Sequence, residues 1–176
     1  MSYKTLFYAL IGIIVVVALI FGPRIYKGIL LKKDKVQTYA IQNVATSKCI
    51  RPYNAGFKDN NSVILYSLNN WECITWQFIE LEENTFLLKN LYTEKTFQPT
   101  SEPSEGVTMW QKPLGGSKQQ YWEFIKQENG TYYIRLKGTE LYLTAATGEQ
   151  NADIVLKPLQ KTTDQQWKLI EQHPIV

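Results

Sequence analysis

The hydrophobic pattern changes character along the chain. Residues 5–22 are all uncharged, and most are large and apolar. As a helix rising ~1.5 Å per residue, such a run extends about 27 Å, close to the apolar thickness of a bilayer. It predicts a single transmembrane anchor over residues 1–23. A cleaved export signal fits less well, because only Lys4 precedes the run and a cut after Gly22 leaves Pro23 next and bulky Ile20 just inside. A buried core helix fits less well too, since the rest of the chain offers it no helical partner face.

From about residue 38 the apolar positions come instead in short runs bounded by turn formers, the pattern of strands. Residues 41–52 align with 88–99 and, more loosely, with 134–145, each reading as strand, tight turn, strand. Polar loops follow at 54–61, 100–106 and 147–153, then short apolar strands at 63–66, 107–110 and 154–156. A fourth strand in each set carries a tryptophan: Trp76, Trp122 and Trp167, 46 and then 45 residues apart. A fixed period of this length marks supersecondary units that bury their apolar faces only against their copies. Three units of four strands predict about twelve strands in a closed or capped barrel.

Composition adds bounds. The chain of 176 residues, 44% hydrophobic, accommodates one globular domain plus a small segment. Its 11 Tyr and 5 Trp suit a strand-rich protein. The net charge of +3 matters less than its location. Arg24, Lys27, Lys32, Lys33 and Lys35 follow the apolar run closely, so the positive-inside rule places the C-terminal domain on the cytoplasmic side. Residues 24–37 form a basic juxtamembrane linker. It reads equally as a short interfacial helix, with Ile25, Ile29 and Leu30 apolar and Tyr26 at the interface, or as a plain stop-transfer segment. Ala18 and Gly22 have the spacing that lets membrane helices associate. On the reducing side, Cys49 and Cys73 are expected as buried free thiols. Two sequons, Asn60-Asn61-Ser62 and Asn129-Gly130-Thr131, offer a test of topology.

Around the tryptophans stand Gln120-Tyr121-Trp122 and Gln165-Gln166-Trp167, with a degenerate Ile74-Thr75-Trp76. These Gln-x-Trp strands in register with three hairpins resemble the ricin B-type (R-type) lectin family over residues 38–176. The resemblance implies an all-β fold, a β-trefoil of three four-strand repeats preceded here by the transmembrane helix. It implies that Trp76, Trp122 and Trp167 form the structural core. It also implies sugar sites built from an Asp after the second strand, an aromatic platform, and an amide beside the Gln-x-Trp. The Asp is absent: its positions hold Arg51, Gln98 and Thr144. A sugar hydroxyl left unpaired by that loss costs about 1–3 kcal/mol. The platform falls on Tyr66, Trp110 and Lys157, and the amide on Cys73, Gln119 and Asp164, followed by Ile74, Gln120 and Gln165. Only the second repeat keeps a glycan pocket, from Gln98, Trp110, Gln119 and Gln120. Leu68 occupies the family's second cysteine position, which leaves Cys49 and Cys73 unbridged.

Catalytic signals are sparse. The single histidine, His173, sits near the C-terminus; Gly115-Gly116 reads as a turn; Glu82, Glu83, Glu102 and Glu105 fall in turns and loops. No metal-ligand spacing, phosphate loop or basic–aromatic interleaving occurs, so neither cofactor nor nucleic acid is expected. The sequence therefore reads as a non-catalytic, single-pass membrane protein. Its trefoil serves as an interaction scaffold within a membrane-associated assembly, such as a virion or a secretion machine, with lipid and protein as partners. The alternative is a lectin module with glycan as partner, held by the second repeat.

Overall fold

Twelve strands arise from short apolar-rich runs. The computed structural model describes residues 37–174, so the expected anchor at 1–23 and, except for Gln37, the linker at 24–37 lie outside the described residues. The strands are β1 (Thr38–Asn43), β2 (Lys48–Pro52), β3 (Val63–Ser67), β4 (Thr75–Glu82), β5 (Thr85–Asn90), β6 (Thr96–Pro99), β7 (Met109–Lys112), β8 (Tyr121–Lys126), β9 (Tyr132–Leu136), β10 (Leu141–Ala145), β11 (Ile154–Pro158) and β12 (Trp167–Glu171). Strands β7 and β8 alternate buried and half-buried positions, whereas β2, β3, β10 and β11 each hold three or four consecutive buried residues. Among the described residues no helix is long and apolar enough to cross a membrane.

Six strands close a ring. Antiparallel pairing runs β1–β4–β5–β8–β9–β12 and returns from β12 to β1, so none of these strands keeps an open edge. The hairpins β2–β3, β6–β7 and β10–β11 form a triangular cap over one end. Backbone bonds stitch the cap in threefold fashion: the N–H groups of Leu65, Gln111 and Leu156 donate to the carbonyls of Ala152, Asn61 and Val107 at 2.8–2.9 Å. The reciprocal bonds come from Asn151, Asn60 and Gly106. Those three donors have φ of 63°, 63° and 83°, the left-handed region that Asn and Gly tolerate best. This is the β-trefoil that the family resemblance implies, with the twelve strands that the 46- and 45-residue period predicts.

The three tryptophans are fully buried at the centre, among Ile41, Ile50, Leu65, Leu88, Phe97, Ile134 and Leu143. Trp76 Nε1 donates to the Ile50 carbonyl at 2.9 Å, and Trp167 Nε1 to the Leu143 carbonyl at 3.0 Å, tying barrel strands to cap strands. The buried amides of Asn43 and Asn90 interlock neighbouring repeats, donating to the carbonyls of Asp164 (2.7 Å) and Cys73 (3.0 Å). Each also accepts from the turn that follows it. One strand departs from expectation. The sequence places the second repeat's third strand at 107–110, whereas β7 begins at Met109, because the ladder with β6 starts only at the Pro99–Met109 pair.

Cys49 and Cys73 are unbridged and buried in a small satellite cluster with Ala40 and Ile74. Burial pushes the Cys49 thiol up from its ordinary 9.0 to about 12. Between those values the native thiol holds its proton while the unfolded one gives it up, so the native state binds more protons and stability falls as pH rises. The contribution is intact below pH 9 and lost by about pH 12. Urea denaturation of the wild-type protein and Cys49→Ala across this window should show a steeper loss in the wild type. Equal slopes would mean that the buried thiol does not govern the alkaline limit.

Candidate functional site

Of the four residues expected to form the second-repeat pocket, the three glutamines are linked by hydrogen bonds, and Trp110 pairs with one of them across the hairpin. Gln98 on β6 stands opposite Trp110 on β7, and Gln119 and Gln120 lie in the single 3-10 turn Lys118–Gln120 that leads into β8. A chain of amides links three of them. Gln120 Nε2 donates to Gln98 Oε1 at 3.0 Å and to the Pro113 carbonyl at 3.1 Å, while its Oε1 accepts from the Gly115 N–H at 3.1 Å. Gln98 Nε2 reaches Gln119 Oε1 at 3.4 Å.

Gln120 is buried, and its hydrogen bonds are directed at the protein. The third repeat repeats the pattern: Gln165 Nε2 donates to Thr144 Oγ1 and the Pro158 carbonyl, and its Oε1 accepts from the Gln160 N–H. The glutamine of the Gln-x-Trp motif thus braces the cap hairpin against the entrance to the tryptophan strand. A buried amide with all its partners internal has little left for a ligand. Gln119 differs, being half-buried with its amide nitrogen unengaged. Trp110 is half-buried, with the Lys112 ammonium 4.4 Å from its ring centroid. What remains for a ligand in this repeat is the exposed part of Trp110 and the amide nitrogen of Gln119.

The structural register differs from the platform positions of the sequence alignment. Backbone bridges Ser62–Trp110, Thr108–Val155 and Ile64–Asp153 place Trp110 level with Ile64 and Val155. The residue level with Tyr66 and Lys157 is Lys112, facing Thr96 as Tyr66 faces Cys49 and Lys157 faces Tyr142. The physical reason is loop length: from Arg51 to Ile64, Gln98 to Trp110 and Thr144 to Val155, the connection shortens by one residue per repeat. Counting forward from the second strand of each repeat therefore loses the register.

In the first repeat, Arg51 on β2 takes the place of the family's carboxylate. It is only 6% exposed, its Nε donates to the Pro52 carbonyl at 3.1 Å, and its guanidinium carbon lies 4.3 Å from the Tyr66 ring centroid. Beyond Tyr66 stands Trp71, with ring centroids 6.4 Å apart and the indole 49% exposed. Burial raises the Cys73 thiol above its ordinary range, and the nearby positive charge of Arg51 partly offsets that rise. Sequence reasoning treated Arg51 only as a missing Asp and passed over Trp71. In the third repeat Thr144 donates to the Tyr142 carbonyl while accepting from Gln165, which engages its hydroxyl internally.

Elsewhere several titratable groups form ion pairs. A cleft of about 330 Å³ beside Glu83 and Glu123 is crossed by Arg135, which donates to Glu123 at 2.7 Å and to Glu140 at 3.0 Å. The hydrogen bond to Glu123 raises the guanidinium pKa above its ordinary value. His173 is exposed, with Nε2 3.1 Å from Glu171. Among the described residues no group of three His, Cys, Asp or Glu side chains is placed to hold a metal ion.

Comparison with known proteins bears on both fold and family. No curated protein matches the chain. Among solved structures, the designed threefold-symmetric protein ThreeFoil superposes with a TM-score of 0.73 at 20% identity, covering 76% of this chain and 98% of its own. The Macrolepiota procera ricin B-like lectin, solved in complex with lactose, gives 0.67 at 17% identity over 80% of this chain and 99% of its own. An exo-beta-1,3-galactanase from Clostridium thermocellum gives 0.74 at 17% identity over 79% of this chain but only 31% of its own length. At these identities the likeness concerns the fold. The family model of the ricin-type beta-trefoil lectin domain matches residues 37–174, which is most of the chain, and the protein belongs to that family.

Proposed function

We propose that the trefoil is a non-catalytic carbohydrate-recognition module tethered to a membrane by the apolar run at residues 5–22. The observation that carries this reading lies at the second-repeat hairpin, where the half-buried Trp110 pairs with Gln98, and Gln98 in turn meets Gln119, whose amide nitrogen has no acceptor among the described residues. A ring face for sugar C–H groups and a neutral donor for a hydroxyl are the elements a saccharide needs. The lactose complex of the Macrolepiota procera lectin supports the same class of ligand.

A second reading has its own observation. Phe57, 54% exposed, packs at 4.7 Å against Tyr92, 42% exposed, and Tyr53 lies exposed nearby in sequence. Exposed aromatics of this kind suit a protein partner. In that case the domain serves as a scaffold on the cytoplasmic face of a membrane-associated assembly, such as a virion or a secretion machine.

A glycan array separates the two readings. The full-length protein should give signals on neutral glycans that fall about tenfold with Trp110→Ala and several-fold with Gln119→Ala, the loss expected when a stacking ring or a hydrogen-bond donor is removed. Gln120→Ala should instead lower folding stability by about 1–3 kcal/mol, because it orphans buried partners. If no signal depends on Trp110, the second-repeat glycan site fails; if no glycan gives any signal, the lectin reading fails and the scaffold stands. Topology provides an independent check, since carbohydrate recognition calls for an extracytoplasmic domain and the basic flank for a cytoplasmic one. The lectin reading predicts glycan transfer to Asn60 or Asn129 during translation into microsomes. Full protease access from the cytosol without such transfer would support the scaffold.

A further inference from the structure

We propose that the first repeat carries a second binding site, which takes a carboxylate-bearing saccharide with Arg51 as the anion receptor and Trp71 as the stacking ring. The inference rests on the carbohydrate reading but uses different residues and a different ligand charge from the site at Trp110.

Arg51 is the anomaly that points there. A guanidinium buried to this depth normally faces a carboxylate, because its charge loses the solvation that water gave it. Among the described residues, the lysines and the arginine that form ion pairs are far less buried: Lys89 with Glu94, Lys95 with Asp59, Lys137 with Glu82, and Arg135 with Glu123 and Glu140, all with cationic side chains 21–29% exposed. Arg51, at 6%, forms no ion pair with any described residue. Glu72 is the acidic group of the adjoining 3-10 turn Glu72–Ile74, and it makes no contact of that kind with Arg51. Among the described residues, the guanidinium has one carbonyl, that of Pro52, and one aromatic face, that of Tyr66.

The terminal nitrogens have no acceptor among the described residues, yet they are not among the sealed polar atoms that lack a partner. They therefore keep a narrow opening to solvent. Nε is engaged, which leaves the Nη1–Nη2 edge, a fork matched to the two oxygens of a carboxylate. Tyr66 touches Arg51 and lies close to Trp71, so the cation and the exposed indole are both neighbours of one ring. The position at which the family resemblance expects a hydroxyl-binding Asp thus carries the opposite charge, and its preference turns from neutral hydroxyls to an acid.

Titration of the full-length protein, labelled with 15N at its tryptophan indoles, tests this directly. Methyl β-D-glucuronide or methyl α-N-acetylneuraminide should shift the Trp71 resonance, whereas methyl β-D-glucoside should bind about tenfold more weakly because it offers the guanidinium no charge-assisted pair. Arg51→Met should abolish the preference for acid. Trp71→Ala, at an exposed ring, should weaken acid binding several-fold while leaving the Trp110-dependent array signal intact. Affinity should also fall when salt is raised from about 0.05 to about 0.5 M. Equal binding of glucuronide and glucoside, no Trp71 shift with either acid, or a response only to the acidic peptide acetyl-Asp-amide would overturn the proposal. Should Arg51→Met fail to fold, the acid-to-neutral ratio and Trp71→Ala decide. Loss of the Trp110 signal with acid binding intact would sink only the second-repeat site.

Discussion

A buried indole N–H bonded to a cap-strand carbonyl is the contact on which the architecture depends. Each tryptophan sits on a barrel strand, and the carbonyl it seeks belongs to the cap hairpin of its own repeat, so one hydrogen bond joins the two layers of the fold. Trp76 with Ile50 and Trp167 with Leu143 achieve this within an environment that excludes water. There the bond is worth most because the alternative is an unsatisfied donor. The second repeat does not achieve it. Trp122 Nε1 is sealed without a partner, and Phe97 stands where the other repeats have Ile50 and Leu143, its ring 5.0 Å from that of Trp122.

The same repeat concentrates other compromises. Gln111 occupies the inward position that Leu65 and Leu156 hold elsewhere, and its Nε2 reaches the carbonyls of Gly56 and Lys58 at 2.6 Å while its Oε1 stays unpaired. Thr96 Oγ1 and Trp110 Nε1 are likewise sealed and unpartnered. A repeat that departs from the packing of its copies is where function is expected to sit, since selection for binding overrides local consistency there. The first repeat departs differently, by burying an unpaired arginine. The third, with Thr144 and Gln165 bonded to each other, is the most conventional of the three.

The fold was legible because its signal is periodic. Trp76, Trp122 and Trp167 recur at nearly constant spacing, and equivalent strands repeat the same order of buried and half-buried positions, as in β1 and β5. Free, buried cysteines were legible as well. The site was less so, for three physical reasons. Loop lengths that shrink by one residue per repeat shift Trp110 out of the column it seemed to share with Tyr66. An amide's role depends on which partners surround it, so Gln119 and Gln120, adjacent in sequence, part into an open donor and an internal brace. Arg51 reads in sequence only as a replacement for the family's Asp, and only the packing of β2 against Tyr66 reveals its burial.

The central claim is that indole-to-cap hydrogen bonds, and not aromatic burial alone, hold the repeats closed. Urea denaturation of Trp76→Phe, Trp122→Phe and Trp167→Phe measures this most directly, because each variant keeps an aromatic ring and removes the N–H. The account predicts that the first and third lose about 1–3 kcal/mol more stability than the second, in which no hydrogen bond is broken. Equal losses at all three positions, or the largest loss at Trp122, would contradict it.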